Sequence, residues 1–463
     1  MQNDTAGNVP KGAINPKRTN VMGTEPILPL IVKMSLPPLF SMFLQYTYNF
    51  VDCLFVAWLS EDALTAVSFA FPLTTLMLAF SIGTGVGINV LVARYLGKEE
   101  YDRADTVVTH GILLSVMFGI VLNLIFYLIL EPYFGIFIRN GKIYNLSMDY
   151  MRVCVFLQIP NMVHIAIQKI LQGTGNMIAP MIFQAAGVIF NFVFDPILIF
   201  GIGPFPAMGV RGAALSTVLG YTLSMVLAFY VLLFTRQKVK MKIRGLKMNL
   251  FIWLDIFRCG LPSFVMNALG AFMVTFTNGF LAAYSTTAVA FFGAYFKAQQ
   301  MVVMTVNGLI QGCIPIMSFN YGAGNRERLK KTFVYGTGIA MLLMGMGELF
   351  LSVFPSQILK IFLASEKMLS FGIPALRIMA AGYLFNGIAT MAASYMQAVN
   401  QIKYSLFINL MRQMLALYPF MWIFTKFKGM TGVWFSFPCA EIVTCVCCAF
   451  IMKKTGLLEK MDG

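Results

Sequence analysis

The sequence predicts an all-α integral membrane protein: twelve transmembrane helices in two six-helix bundles, related by a pseudo-two-fold axis along the membrane normal. Three observations predict it. Of 463 residues, 58% are hydrophobic and only 11% charged, whereas soluble domains carry about a quarter of their residues as Asp, Glu, Lys or Arg. Most of the surface must therefore face lipid. Apolar runs of about 20 residues or longer, enough to cross roughly 30 Å of hydrocarbon, recur along the whole length. Finally, Pro, Gly, Arg and Gln residues of the first half return in the second at a common offset. Transmembrane strands of about 10 alternating residues would not give such unbroken runs.

The elements follow in order. Residues 1–25 form a polar tail rich in Asn, Thr and Gly. It lacks the basic start, short apolar core and small-residue cleavage site of a signal peptide, so the first helix is expected to insert the chain. The first bundle, 26–235, holds runs at 28–59, 64–93, 106–130, 147–172, 177–201 and 210–235. A basic linker, 236–250, carries Arg236, Lys238, Lys240, Lys242, Arg244 and Lys247; it is mildly amphipathic and expected on the inner membrane surface. The second bundle, 251–453, holds runs at 256–284, 287–320, 330–354, 370–398, 402–424 and 430–452, and residues 454–463 form a second tail. Spans one, two, seven, eight and ten exceed what a bilayer requires, which implies tilt, kinks or extension past the membrane.

Charge orients these spans. The chain has 34 Lys+Arg against 19 Asp+Glu, a net +15. Lys11, Lys17 and Arg18, then Arg94, Lys98 and Arg103, the linker, Arg326, Arg328, Lys330 and Lys331, Lys403, and Lys453, Lys454 and Lys460 fall on one side. That side is predicted to be cytoplasmic. The opposite loops hold Arg139, Lys142, Arg211, Lys360, Lys367, Lys426 and Lys428. Both termini are expected inside a multi-pass protein of the cytoplasmic (inner) membrane. The basic excess is thus assigned to loops, and nucleic acid drops out as a partner.

The repeat gives the two bundles. Leu36-Pro37 returns as Leu261-Pro262, Gly97 and Arg103 as Gly322 and Arg328, Arg152 as Arg377, and Gln172 as Gln397, each 225 residues on. Gly209, Gly212 and Ser216 return as Gly429, Gly432 and Ser436, 220 residues on. Six helices per copy is an even number, so both copies enter from the same side and the axis runs along the membrane normal.

Candidate chemistry is sparse. The eight cysteines lie almost entirely inside apolar runs, without metal-ligand or disulfide spacing. There is no phosphate-binding loop, and neither His110 nor His164 sits in a catalytic motif. Gly83, Gly85 and Gly87 read as helix-packing positions. No enzyme, cofactor or metal site is expected. What stands out is acid within the spans, where charge is costly and usually faces an interior or watery cavity. Asp52 shares a helical stripe with Pro38, Ser41, Gln45, Tyr48 and Asn49. Asp195 shares one with Gln184 and Asn191, and Pro196 removes the hydrogen bond to the Phe192 carbonyl, predicting a kink. The fourth span adds Asn161, His164, Gln168 and Gln172, with Lys169 one position off. In the second half, Lys297, Gln300, Asn307 and Gln311 form a stripe, and a lysine mid-span needs an acid, a carbonyl or water. Glu348 and Glu441 show no polar stripe and read as interface residues. The 33 Met and 43 Phe suit a pocket taking many apolar shapes, but equally suit lipid contact.

Several motifs together carry a resemblance: Met22-Gly-Thr-Glu-Pro-Ile27; Leu36-Pro37 followed by Tyr48-Asn49-x-x-Asp52; Gln172-Gly-x-Gly-Asn176; Asn191-x-x-x-Asp195-Pro196; Gly212-Ala-Ala-x-x-Thr217; and Tyr321-Gly-Ala-Gly-Asn325 followed by Arg328. From residue 22 to about 455 the chain resembles the multidrug and toxic compound extrusion (MATE) family, nearest its MepA-like bacterial branch. The resemblance implies two lobes forming a V around a central cavity, exporting lipophilic, mostly cationic compounds in exchange for H+ or Na+ as a monomer in the bilayer. It implies a cation-coupling set of Asp52, Asp195, Asn191 and Thr217, with Pro37 as a hinge beside Pro196. Gln45, Asn49, Tyr48, Gln184, His164, Gln168, Lys297, Gln300 and Asn307 are cavity-lining candidates. The NorM-like branch also has acids in spans seven and ten, whereas 262–284 and 370–398 hold none, so coupling is expected to rest on the first lobe. The alternative keeps the fold and changes the cargo: a flippase for a lipid-linked saccharide precursor, which calls for a basic cavity.

Overall fold

A chain crossing hydrocarbon must satisfy its backbone N–H and C=O groups internally, and each apolar run accordingly folds as a helix. The computed structural model describes residues 20–138, 141–242, 248–362 and 365–454. Lys11, Lys17, Arg18, Arg139, Arg244, Lys247 and Lys460 lie outside the described residues, as do most of both tails. The first lobe comprises α1 (Val21–Thr24), α2 (Ile27–Leu59), α3 (Glu61–Gly97), α4 (Tyr101–Phe137), α5 (Gly141–Cys154), α6 (Gln158–Gly173), α7 (Ile178–Phe200) and α8 (Val210–Phe234). The second comprises α9 (Leu250–Ala282), α10 (Thr286–Gly322), α11 (Arg326–Val353), α12 (Pro355–Ile361), α13 (Glu366–Ala380), α14 (Tyr383–Ala398), α15 (Ile402–Leu410), α16 (Leu417–Lys428) and α17 (Met430–Lys454). α5 and α6 form one span through a 3-10 turn, and α15 and α16 another through a π turn at Met411–Leu415. With α13 and α14 taken as one span bent by 42°, twelve spans are present among the described residues. Large exposed apolar side chains such as Phe50, Trp58, Leu128, Ile136, Phe234, Leu349 and Phe450 cover the outside, as lipid contact requires.

The repeat extends to backbone detail. Ser60 caps α3 and Ser285 caps α10, each side chain accepting a backbone N–H from the first turn. Left-handed residues also pair 225 apart: Glu99 (φ 60°) with Gly324 (φ 69°), and Gly175 (φ 90°) with Asn400 (φ 65°). Gly209 and Gly429, ahead of α8 and α17, share φ 57°. No composition bias produces such matches; they are one fold unit written twice.

The lobes meet along a seam that obeys the same symmetry. A methyl added to Gly83 would run into Phe264, and one on Gly308 into Leu39. One on Gly87 would strike the Ile256 carbonyl and Gly260, and one on Gly312 would strike Ser35. One on Gly97 would meet the Phe319 carbonyl, and one on Gly322 the Arg94 carbonyl. Each pair is the other displaced by 225 residues, the reciprocal contact that a two-fold axis demands. Without a hydrophobic drive between helices in lipid, such close approach of small residues is what holds them. Ser35 Oγ donates to the Leu309 carbonyl at 3.3 Å and Arg94 Nη2 to the Ala398 carbonyl at 3.3 Å. These contacts lie toward the end that carries the linker. Farther out α2 also packs against α7 and α8, while the Tyr46 hydroxyl still donates to Gln300 of α10 at 2.9 Å.

The described part of the linker lies against the first lobe. Residues 235–242 form an extended strap on the first lobe, with Val239 buried. Lys240 N donates to Asp105 Oδ1 at 2.7 Å, Lys242 N to Thr109 Oγ1 at 3.0 Å, and Asn249 N to His110 Nε2 at 3.2 Å. Lys242 Nζ pairs with Asp102 at 2.8 Å and Asp105 at 2.9 Å; hydrogen bonding to Asp102 and then Asp105 pushes its amine up to about 12. Lys238 Nζ instead reaches Asn20 Oδ1 at 3.0 Å and the Thr174 carbonyl at 3.3 Å, and burial pushes its amine down.

Candidate functional site

Three helices of the first lobe bring the predicted coupling residues together. α2 supplies Tyr48 and Asp52, α7 supplies Asn191 and Asp195, and α8 supplies Ser216 and Thr217. Asp195 is fully buried and Asn191 nearly so. With its nitrogen toward Asp195, the Asn191 amide donates to both carboxylate oxygens at 2.9 Å, and its oxygen accepts from the Tyr48 hydroxyl at 3.0 Å. That hydroxyl also lies 2.8 Å from Thr217 Oγ1. The Asp52 and Asp195 carboxyls lie near enough to interact with each other. Asp52 Oδ1 is buried with no hydrogen-bond partner among the described residues. Chemically this is an acid pair able to exchange a proton, or to offer its oxygens to a small cation, with an amide and two hydroxyls holding the geometry.

The cavity-lining candidates divide. Gln45, Tyr48, His164, Gln184 and Asn191 border a small cavity of about 10 Å³, about the room of one water. Both ring nitrogens of His164 are buried without a hydrogen bond, and the ring packs against Phe183 and Tyr221. Gln168 Nε2 donates to Gln184 Oε1 at 2.9 Å. Asn49 departs from the stripe: it is exposed, touching Gln45 at 3.4 Å. Gln300 ties α10 to α2, accepting from the Tyr46 hydroxyl at 2.9 Å. Lys297 is exposed, near Cys53 of α2, and Asn307 is half-buried on α10. Pro37 and Pro196 both sit inside helices that run through them without a break.

Sequence reasoning missed two arrangements. Lys169, buried on α6, donates from Nζ to Gln172 Oε1 at 2.9 Å and, across the lobes, to Gln311 Oε1 of α10 at 2.7 Å. The second correction concerns Glu441, read as lacking polar company. It accepts from Asn386 Nδ2 at 2.7 Å and lies 3.9 Å from Arg412 Nε, while Arg412 also donates to Thr390. The signal was Arg412 itself, since an arginine inside a span calls for an acid. Glu348 Oε2 is buried with no hydrogen-bond partner among the described residues. Among the described residues no group of three or more His, Cys, Asp or Glu can hold a metal, and the eight cysteines are free thiols.

Comparison with known proteins follows the same division into halves. The MatE family model matches residues 37–197 and 262–423, one match per lobe. A "FAD transporter" of Shewanella oneidensis is 24% identical over 432 residues, covering 93% of this chain and 95% of that protein. The "Multidrug export protein MepA" of Staphylococcus haemolyticus is 25% identical over 429 residues, covering 92% of each. A solved structure of a multidrug resistance MATE family transporter of the MOP superfamily superposes with a TM-score of 0.89 at 24% identity, covering 95% of this chain and 98% of that one.

Proposed function

The chain belongs to the MatE family and is a membrane transporter rather than an enzyme, and from that premise we propose that it is a secondary active antiporter exporting lipophilic, mostly cationic compounds in exchange for H+ or Na+. The observation that carries the reading is the Asp52–Asp195 pair, held by Asn191, Tyr48 and Thr217. No ATP-binding loop is present in the sequence, so the driving force is an ion gradient. With the linker end toward the cytoplasm, as the basic residues favour, the glycine seam closes the cytoplasmic side. A proton or Na+ entering from outside neutralises the pair and weakens its hold on the cargo, favouring release. Loss of that cation inside restores negative charge to the pair and favours loading.

Transport in proteoliposomes under separately imposed proton and sodium gradients tests this. Asp52→Asn and Asp195→Asn should each cut gradient-driven efflux of an organic cation dye at least tenfold, on the scale of losing one charge-assisted contact. Unchanged efflux in either variant would sink the assignment. A second reading, motivated by the similarity to the FAD transporter, keeps the coupling site and makes the cargo an anion. A lipid-linked precursor is the extreme case of such a cargo.

A further inference from the structure

We propose that Arg328 and Asn320 are positioning residues of the transport cycle: they hold residues 20–25 as a clasp across the linker end, and its release sets how often the lobes part there. Its part in the cycle rests on the transporter reading above, whereas the clasp itself is a property of the folded chain.

Two sequence motifs that the coupling site leaves unused meet here. Met22-Gly-Thr-Glu-Pro-Ile27 opens the first lobe, and Tyr321-Gly-Ala-Gly-Asn325, followed by Arg328, joins α10 to α11 in the second. Arg328 Nη2 donates to the Met22 carbonyl at 3.1 Å and to the Glu25 carbonyl at 2.7 Å. Asn320 Nδ2 donates to the same Met22 carbonyl at 3.0 Å. The opposite lobe thus takes up two carbonyls of this segment. Met22 is fully buried, Asn320 is 1% exposed, and a methyl on Gly23 would come within 3.0 Å of the Phe319 ring. On its other side the segment is seated on its own lobe. Asn20 Oδ1 accepts from Lys238 Nζ of the strap at 3.0 Å, and a methyl on Gly175 would stand 3.4 Å from it. Six residues therefore touch both lobes and the strap between them.

The glycine seam is reciprocal, but these contacts are not. Arg103, the twin of Arg328 at 225 residues' distance, is exposed and paired with Glu100 of its own lobe at 2.9 Å. Tyr95 stands where the second lobe has Asn320. One arginine of the duplicated pair ties the lobes together, and the other serves a surface turn. Parting the lobes at the linker end draws α10 and α11 away from α1. That breaks three hydrogen bonds, two of them charge-assisted, and uncovers the Met22 side chain. A charge-assisted bond shifts such a two-state ratio by about tenfold or more, so this small set of donors biases the end toward the closed arrangement.

The test reads backbone hydrogen exchange of the full chain in lipid nanodiscs, with no cargo and no ion gradient. Arg328→Gln should raise exchange about tenfold along the seam, at 256–264 of α9 and 308–322 of α10, and leave 187–217 around the acid pair unchanged. Arg103→Gln, its twin, should raise neither. Asn320→Leu removes one neutral donor at similar size and should raise seam exchange about fivefold; it carries the test if Arg328→Gln folds poorly. Arg328→Lys keeps the charge on a single donor head and should fall between Arg328→Gln and the parent. Parental seam exchange in Asn320→Leu and in Arg328→Gln overturns the proposal. So does a rise confined to residues 20–25, which is local fraying, or an equal rise in Arg103→Gln. In proteoliposomes, Arg328→Gln should change the maximal rate of dye efflux at least threefold with the apparent affinity for dye near the parent's. An unchanged rate overturns the clasp's part in the cycle. If the parent moves no dye, the export reading fails, and the exchange result alone upholds or overturns the clasp.

Discussion

At Gly97 and Gly322 a hydrogen atom occupies the only space left between one lobe's helix and the other lobe's carbonyl. Valine at Gly97 forces the linker end apart, with an overpacking cost of about 1–3 kcal/mol. In a single-cysteine background, Cys259, buried near the seam, should then react with a water-soluble maleimide about tenfold faster than in the parent; equal rates would show that the seam does not depend on this glycine. Residues of this scale were unevenly legible. Asp52, Asp195 and Asn191 announced themselves because an acid inside an apolar run has few purposes and an amide four residues away lies on the same face. Lys169 did not, because its partner Gln311 sits 142 residues on, and helical periodicity carries no information about which faces meet.

The helices themselves were the most readable elements, but their ends were not. The apolar run at 106–130 becomes a helix from Tyr101 to Phe137, because its first turn is polar yet still helical outside the hydrocarbon. The bend between α13 and α14 and the π turn at Met411–Leu415 are likewise invisible to hydropathy, which counts apolar residues and not hydrogen bonds. In the strap Val239 is buried between exposed Lys238 and Lys240, the alternation of a chain laid on a protein surface, where successive side chains point to opposite sides. Asp105→Asn weakens the charge-assisted bond to Lys240 N, and hydrogen exchange at the Lys240 amide should rise about tenfold; an unaltered rate would mean that the strap is held elsewhere. The Lys242 amine is raised in the folded protein, so its contribution is complete at neutral pH and is lost only as pH climbs through about 12. Alkaline treatment short of that should leave the ion pairs at Asp102 and Asp105 in place.

For the whole molecule, the duplication makes a prediction that no single contact makes. An engineered disulfide between Leu39→Cys and Gly308→Cys, and its twin between Phe264→Cys and Gly83→Cys, join positions whose β-carbons approach within 2.9 and 2.7 Å. Both are closer than a relaxed bridge prefers, so each closes with a small local adjustment. Oxidation of either pair should reduce transport at least tenfold, with recovery on reduction, because either bridge prevents the lobes from parting at the linker end. Transport that survives in one pair and not the other would show that the two halves do not move as equivalents. The two-lobe plan behind this test was readable from the spacing of Pro, Gly, Arg and Gln residues. The position of the seam was not, since it depends on which stretch of each helix meets the opposite lobe.

The seam's position has a mechanical consequence. α3 is 37 residues long, about 55 Å, and its three glycine contacts occupy only the last 21 Å or so. The remaining 33 Å or so is packed within its own lobe, so a tilt of that lobe by about 10° at the pivot swings its far end by about 6 Å. The glycine rows act as a crowbar's fulcrum: a slip there too small to expose much backbone becomes a displacement the size of a drug molecule at the rim.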